Sequence, residues 1–338
     1  MKVTTVGLDI AKDVFQVYGV DANGQVVAKN RLARNKLLDW FGKVGSALVG
    51  MEACGSAHHW ARELSKQGHE VRLISPQFVR PFRKGCKNDP NDAEAIYEAL
   101  SRPSMRFVSI KTIDEQAVLA VHRVRERLVA KRTALINQIR SLLAEFGVLL
   151  PNGAAQVRRT VSEALEVNAT RLPALLREIV ADLREELEAT EDRLREYEGR
   201  IDRIFQGTAM CKKLAALEGV GPVTATALVA SVGRPDDFKN GRQFAAWLGL
   251  TPRQHSSGGR QCLMGITKRG DRYLRTLLIH GARSALNAGR RKTDSKSLWA
   301  ERLRLRRGNN IAATALAAKN ARILWALMTR ADEYRLST

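Results

Sequence analysis

Four carboxylates stand where a divalent cation could be held. Asp9 closes a β-rich run, Val3 to Asp9, and Glu52 closes another, Ala47 to Glu52, while Asp89 and Asp92 lie three residues apart at the opening of a helical stretch. Strand-end acids meeting helix acids are what two-metal phosphoryl transfer requires. Hard oxygen ligands hold two Mg²⁺ roughly 3.5 to 4 Å apart, clamping the attacking and leaving oxygens. Without a cation, such a cluster repels itself and some members protonate. Taken alone, Asp89 before Pro90 is a helix N-cap with proline in the first turn, and Asp92 lies one turn along on the same face. The strand-end acids give that pair its second reading.

A different chemistry is possible at Arg253-Gln254-His255-Ser256-Ser257-Gly258-Gly259-Arg260, which is followed by Lys268, Arg269, Arg272 and Arg275. A serine hydroxyl is a poor nucleophile until a base or metal activates it, and clustered cations stabilise charge developing on a phosphate. By composition, Ser-Ser-Gly-Gly is equally a mobile loop, and the residues alone leave both serines open. Further upstream, Gly219-Val220-Gly221-Pro222 reads as a helix-hairpin-helix element. Its glycines let backbone approach a phosphate, and the following helix N-terminus can donate N–H groups; a simple helix-helix turn is the alternative.

These residues need elements to carry them. Three β-rich runs open the chain, Val3 to Asp9, Val14 to Val20 and Gln25 to Arg31, with Asp21-Ala22-Asn23-Gly24 as the turn before the third. A helix over Asn35 to Val44, the strand Ala47 to Glu52, a helix over Ala57 to Gln67 and a strand His69 to Ile74 follow. The order βββαβαβ predicts an α/β domain whose sheet mixes antiparallel and parallel strands. Beyond Ser101 the pattern turns to long helices. One spans Ile113 to Phe146, with Val121, Val124, Leu128, Leu135, Ile139, Leu142 and Phe146 near one stripe. The next carries Leu176, Val180, Leu183, Leu187, Thr190, Leu194, Tyr197, Ile201 and Ile204, a heptad seam compatible with an intramolecular hairpin or an intermolecular coiled coil. From Gly207 onward the chain reads as helical with glycine-rich breaks. The expected domains are 1–106, 107–206 and 207–338.

Composition narrows the class. The 338 residues hold 56 Lys and Arg against 35 Asp and Glu, a formal charge of +21 that calls for an acidic partner. With 44% hydrophobic residues the chain buries cores and is no unstructured basic tail. Residues 241–338 carry 20 of the Lys and Arg and 5 of the Asp and Glu, an imbalance suited to phosphate contacts. The start lacks the apolar block of a signal peptide, and the most apolar stretch, Leu214 to Gly233, is broken by Glu218, two glycines and Pro222, so a cytoplasmic protein without a membrane span is expected. Cys54, Cys86, Cys211 and Cys262 show no Cys-x-x-Cys, which argues for reduced thiols rather than zinc or disulfides. Trp247, Trp299 and Trp325 read as core residues, and His58 and His59 near Cys54 as structural.

Gly7-Leu8-Asp9-Ile10-Ala11-Lys12, Gly50-Met51-Glu52-Ala53, Lys87-Asn88-Asp89-Pro90-Asn91-Asp92-Ala93, Gly249-Leu250-Thr251-Pro252 and Ser256-Ser257-Gly258, in this order, resemble the IS110 family of bacterial insertion-sequence transposases, in its IS1111 branch. The resemblance spans nearly the whole chain. It implies an N-terminal RuvC-like domain of the ribonuclease H fold, a helical coiled-coil linker and a mainly helical C-terminal transposase domain. It also implies Mg²⁺ on Asp9, Glu52, Asp89 and Asp92, and a nucleophilic serine forming a phosphoserine link to DNA. By the same resemblance that serine is Ser257, with Ser256 a second candidate one residue away. The partners it implies are donor and target DNA, a bridge RNA pairing with both, and further copies of the chain in a tetramer built as a dimer of dimers. Arg253, Arg260, Lys268, Arg269, Arg272, Arg275, Gly219 and Gly221 are the expected nucleic-acid contacts.

Three other readings compete. His280-Gly281-Ala282-Arg283 has the His-x-x-Arg spacing of tyrosine recombinases, with Tyr273 and Tyr334 as nucleophiles, but His122 and Arg125 repeat that spacing by chance in an arginine-rich chain. A stand-alone metal nuclease of the junction-resolvase type needs the acids but no serine. A non-catalytic nucleic-acid-binding protein needs only the basic stretch.

Overall fold

The computed structural model describes residues 2–84, 89–331 and 333–334, the side chains of Asp89, Pro90, Ala154 and Arg291 excepted. The chain divides into two compact units, Met1–Ile113 and Asp114–Thr338. The first contains β1 (Thr5–Ile10), β2 (Val14–Val20), β3 (Val26–Ala33), α1 (Leu37–Lys43), β4 (Leu48–Glu52), α2 (Ala57–Lys66), β5 (Glu70–Ile74), α3 (Pro76–Val79), α4 (Asp89–Leu100) and β6 (Phe107–Val108). The sheet order is β3-β2-β1-β4-β5-β6. β1, β2 and β3 form the expected antiparallel meander, while β4 and β5 join parallel to β1. The unit runs past the expected edge at 106 because β6 pairs antiparallel with β5, Leu73 against Val108.

Alternation of side chains across the sheet explains its two covered faces. Val6, Leu8, Val49 and Met51 point to one face, where Leu37, Phe41, Trp60 and Leu64 of α1 and α2 bury them. On the other face lie Gly7 and Gly50. A Cβ at Gly7 would sit 2.2 Å from the Ala93 carbonyl oxygen, and one at Gly50 would sit 2.9 Å from Leu100 Cδ2. α4 therefore rests directly on the backbone of β1 and β4, and its Ala95, Ile96, Ala99 and Leu100 form a core with Ile74 and Val79.

The second unit contains α5 (Ile113–Glu145), α6 (Ala154–Val167), α7 (Ala174–Gly207), α8 (Ala209–Ala215), α9 (Pro222–Val232), α10 (Gly241–Trp247), β7 (Pro252–Ser257), β8 (Arg260–Ile266), α11 (Arg272–Ala288), α12 (Ser295–Arg307) and α13 (Asn309–Thr329). At 1.5 Å per residue α5 and α7 are each about 50 Å long. The heptad seam of α7 is filled within its own chain: Leu176, Val180 and Leu187 pack with Leu135, Ile136, Ile139 and Leu143 of α5 and with Val157 and Val161 of α6. Ion pairs between α5 and α7, Arg125 to Glu198 at 2.7 Å and Lys131 to Glu186 at 2.8 Å, flank that seam. The stripe expected on α5 buries Leu128, Leu135 and Ile139, Ile136 and Leu143 join it, and Phe146, past the helix end, is exposed.

A second core joins α8 to α13 and takes in Trp247, Trp299 and Trp325 at its margin, as their patterns predict. Ala312, Ala313, Ala317 and Ala321 let α13 lie close against its neighbours. The expectation of a helical chain after Gly207 fails at one place, where β7 and β8 form an antiparallel ribbon. Among the described residues no helix is long and apolar enough to cross a membrane.

Candidate active site

Asp9 and Glu52 follow Gly7 and Gly50 by two residues on adjoining parallel strands, so the pleat sends both carboxylates to the face covered by α4. They act on a common neighbour. Desolvation, then the negative charges of Glu52 and Asp9, raise the Cys54 thiol above its ordinary range. Asp92 lies in the first turn of α4, over the same face, and forms an ion pair with Arg83 that lacks hydrogen-bond alignment. The side chain of Asp89, together with Cys86, Lys87 and Asn88, lies outside the described residues. Among the described residues no group of three or more His, Cys, Asp or Glu is assembled around one point. The donor chemistry nonetheless fits a hard divalent cation, since Asp9 and Glu52 offer oxygens from neighbouring strand ends. His58 Nδ1 accepts from the Lys111 amide at 3.2 Å, and His59 packs edge-on against Trp60.

The serines lie on the ribbon. Gly258 and Gly259 have φ of +55° and +78°, the two positive values that a two-residue type I′ hairpin turn demands, so Ser-Ser-Gly-Gly is a strand end and a tight turn, not a mobile loop. Two runs separated by Gly-Gly were the signal in the sequence that could have found this hairpin. The register pairs Ser257 with Arg260, Ser256 with Gln261, His255 with Cys262 and Gln254 with Leu263. Directly opposed residues share a face, so Ser257, His255, Arg260 and Cys262 occupy one side, and Ser256, Gln254, Gln261 and Leu263 the other. Gln254 Nε2 donates to Ser256 Oγ at 2.8 Å. Both strands are exposed as far as Ile266, where the ribbon meets the body.

That junction is rigid. The Thr267 amide donates to Thr251 O at 2.9 Å and the Lys268 amide to Gly249 O at 3.1 Å. A Cβ at Gly270 would lie 2.2 Å from Trp247 O, so the chain on either side of the ribbon is in backbone contact. Lys268 itself adopts φ +55°, a left-handed conformation that costs a non-glycine residue about 1 kcal/mol and persists only where its surroundings enforce it. Arg275 is part of this neck. It is buried, and its Nη1 donates to the carbonyls of Leu248 at 3.3 Å and Gly270 at 3.2 Å. Arg253, Arg260, Lys268, Arg269 and Arg272 are exposed, Arg272 at the start of α11, whose N-cap Asp271 accepts from the Leu274 amide.

The glycine-rich turn between α8 and α9 divides likewise. A Cβ at Gly219, φ +83°, would sit 2.4 Å from Gly281 O in α11, so this glycine serves close helix packing. Gly221 precedes Pro222 of α9 and faces open space. The residues of the tyrosine pattern do not converge. Tyr273 is half-buried with its hydroxyl 3.0 Å from His122 Nδ1, Arg283 donates to Asn310, and Tyr334 meets Lys296. His122 Nε2 lies 3.0 Å from Thr226 Oγ1, so a polar chain that the sequence did not reveal ties α5, α9 and α11 together. Burial, then the charge of Arg125, lowers the His122 pKa to about 4, and burial raises that of Tyr273.

Comparison with known proteins gives the same two regions. A family of DEDD-type IS110 transposases matches residues 6–147, and the family described as "Transposase IS116/IS110/IS902 family" matches residues 211–297. A probable family 20 transposase of Pseudomonas aeruginosa is 51% identical over 336 residues, 99% of each chain. The transposase for insertion sequence element IS1111A of Coxiella burnetii is 45% identical over 329 residues, 97% of this chain and 90% of the relative, and that for IS1328 of Yersinia enterocolitica is 38% identical over 330 residues, 97% of each. With the acid-bearing sheet inside one match, the serine-bearing ribbon inside the other and relatives aligned end to end, the chain belongs to the IS110/IS116/IS902 family of insertion-sequence transposases, enzymes that recombine DNA.

Proposed function

We propose that this transposase cuts and exchanges DNA strands through a phosphoserine link at Ser257, assisted by Mg²⁺ held on Asp9, Glu52, Asp89 and Asp92. The observation that carries this reading is the ribbon register, which sets Ser257 on an exposed face directly opposite Arg260. A guanidinium there can neutralise a phosphate oxygen while Oγ attacks the phosphorus. Asp9 and Glu52, from neighbouring strand ends, supply carboxylate oxygens, and Arg83 balances Asp92. The bound metal supplies positive charge that stabilises the attacking and leaving oxygens. The order of three antiparallel strands followed by parallel ones supports a RuvC-like, ribonuclease H reading of the first unit.

Arg253, Lys268, Arg269 and Arg272 surround the ribbon and its neck as phosphate contacts, with the open N-terminus of α9 at Gly221 as another. In this reading a bridge RNA pairs with donor and target DNA, so sequence choice lies mainly in base pairing. The assembly is a dimer of dimers in which the acids of one protomer serve the serine of another. A stand-alone nuclease is the contrasting case.

The test is to trap the covalent DNA adduct on DNA carrying the element's ends and map it by mass spectrometry. An adduct on Ser257 that disappears in Ser257→Ala is expected, whereas cleavage that survives in Ser257→Ala overturns the reading. Sequencing the nucleic acid that copurifies at low salt tests the guide. A discrete structured RNA is expected, and its absence rejects guidance by RNA.

A further inference from the structure

We infer that His255 is the proton acceptor that activates Ser257. The inference rests on the reading of Ser257 as the nucleophile and adds a residue to it. Alternation along β7 puts His255 on the face of Ser257 and Arg260, whereas Ser256 shares its face with Gln254, Gln261 and Leu263. The two serines therefore meet different chemistry. Ser256 Oγ receives a hydrogen bond from the Gln254 amide, a group that cannot take a proton from it. Ser257 has an imidazole two residues away on its own side. Two residues of strand span roughly 7 Å at the backbone, a distance that an imidazole and a hydroxyl on the same face can bridge by turning toward each other or through one water.

Across the ribbon from His255 stand Cys262 directly and Arg260 diagonally, and Arg253 lies two residues before it on its own strand. Arg260 is paired with Ser257 itself, where phosphate must sit. In the step, the Ser257 Oγ–H proton passes to a ring nitrogen of His255 as the Oγ–P bond forms and the bond from phosphorus to the departing sugar oxygen breaks. That oxygen takes a proton from solvent and leaves as a hydroxyl. In the reverse direction a strand hydroxyl attacks the phosphoserine, its proton goes to solvent, and the imidazolium returns its proton to Oγ. No electrons change hands, and the same pair serves cutting and rejoining.

The experiment measures adduct formation by the full-length protein on DNA carrying the element's ends, in wild type, His255→Ala, His255→Gln and Ser257→Ala, across pH and with added imidazole. Removal of a general base typically costs about a hundredfold or more in rate. Both His255 variants are expected to slow adduct formation by about that factor, to lose the rise in rate with pH on the acid side, and, for His255→Ala, to regain rate with imidazole while DNA binding stays unchanged. A variant that keeps the wild-type rate, or one that is slow with the wild-type pH profile and no response to imidazole, overturns the role of His255. An adduct that persists in Ser257→Ala overturns the underlying reading instead, so the two failures are distinct.

Discussion

The acid edge of the sheet and the serine ribbon, the two parts of the proposed site, present their side chains in opposite ways. Asp9 and Glu52 emerge from strands covered on both faces, with a helix seated on glycine backbone beside them. Ser257 stands on a ribbon exposed along both strands, where Leu263 and Met264 are 63% and 51% exposed and only the neck is packed. Carboxylates that share a cation must be held against mutual repulsion, and a packed core does that before any ligand arrives. On the proposed reading, a nucleophile that must reach a phosphate inside a duplex gains from projecting beyond the packed helices. Backbone pairing fixes its direction, and the neck around Gly249, Gly270 and Arg275 fixes its base.

The sharpest way to break this contrast is to remove function from each region separately. Asp9→Asn and Glu52→Gln are expected to lower strand cutting by about a thousandfold or more while leaving binding of the same DNA and the circular dichroism spectrum unchanged. Cutting that persists at wild-type rate would show that the acid edge is structural. The next contrast is packing. Gly7→Ala forces a Cβ against the Ala93 carbonyl and is expected to cost about 1–3 kcal/mol in urea unfolding of the full chain. Gly265→Ala on the ribbon, where nothing lies within 4 Å, is expected to stay within about 0.5 kcal/mol. Equal costs would refute the claim that the two regions differ in packing.

A further effect comes from pH. The His122 ring is held neutral with a pKa of about 4 against 6.5 for the free side chain, because burial disfavours its charged form. The unfolded chain therefore takes up this proton first as pH falls. The group's contribution is whole above about pH 6.5 and is lost progressively toward pH 4, on the order of 3 kcal/mol when complete. Unfolding midpoints measured from pH 7.5 to 4.5 should fall more in the wild type than in His122→Gln, and parallel curves would refute the assignment. The smallest effect belongs to the far face of the ribbon. Ser256→Ala is expected to change adduct formation by less than about twofold, and an adduct lost in that variant would move the nucleophile by one residue.

How much of this was legible in the sequence follows from how local each signal is. The strand Val14–Val20 emerges with the bounds its pattern predicts, and Asp9 and Glu52 lie in the strands expected for them, because alternation and turn residues are read within a few positions. β6 escaped because two residues carry no period, and the β7–β8 ribbon escaped because β7, Pro-Arg-Gln-His-Ser-Ser, has no apolar alternation. Arg275 and Gly219 were expected at nucleic acid since composition shows a charge or a missing side chain but not what meets it. One proves to hold two carbonyls, and the other admits the backbone of α11.

By itself the sequence determined the charge that demands a nucleic-acid partner, the mixed α/β beginning and helical remainder, and the ordered motifs that mark the family. Those are properties of residue type and spacing. Only the tertiary structure decided that the α7 seam is filled by its own chain, that Ser257 rather than Ser256 faces His255 and Arg260, and that Arg275 is spent on the neck. Each of these depends on strand register or on packing between residues far apart in the chain. A one-residue slip of register exchanges the two faces of a ribbon without altering a single letter of the sequence.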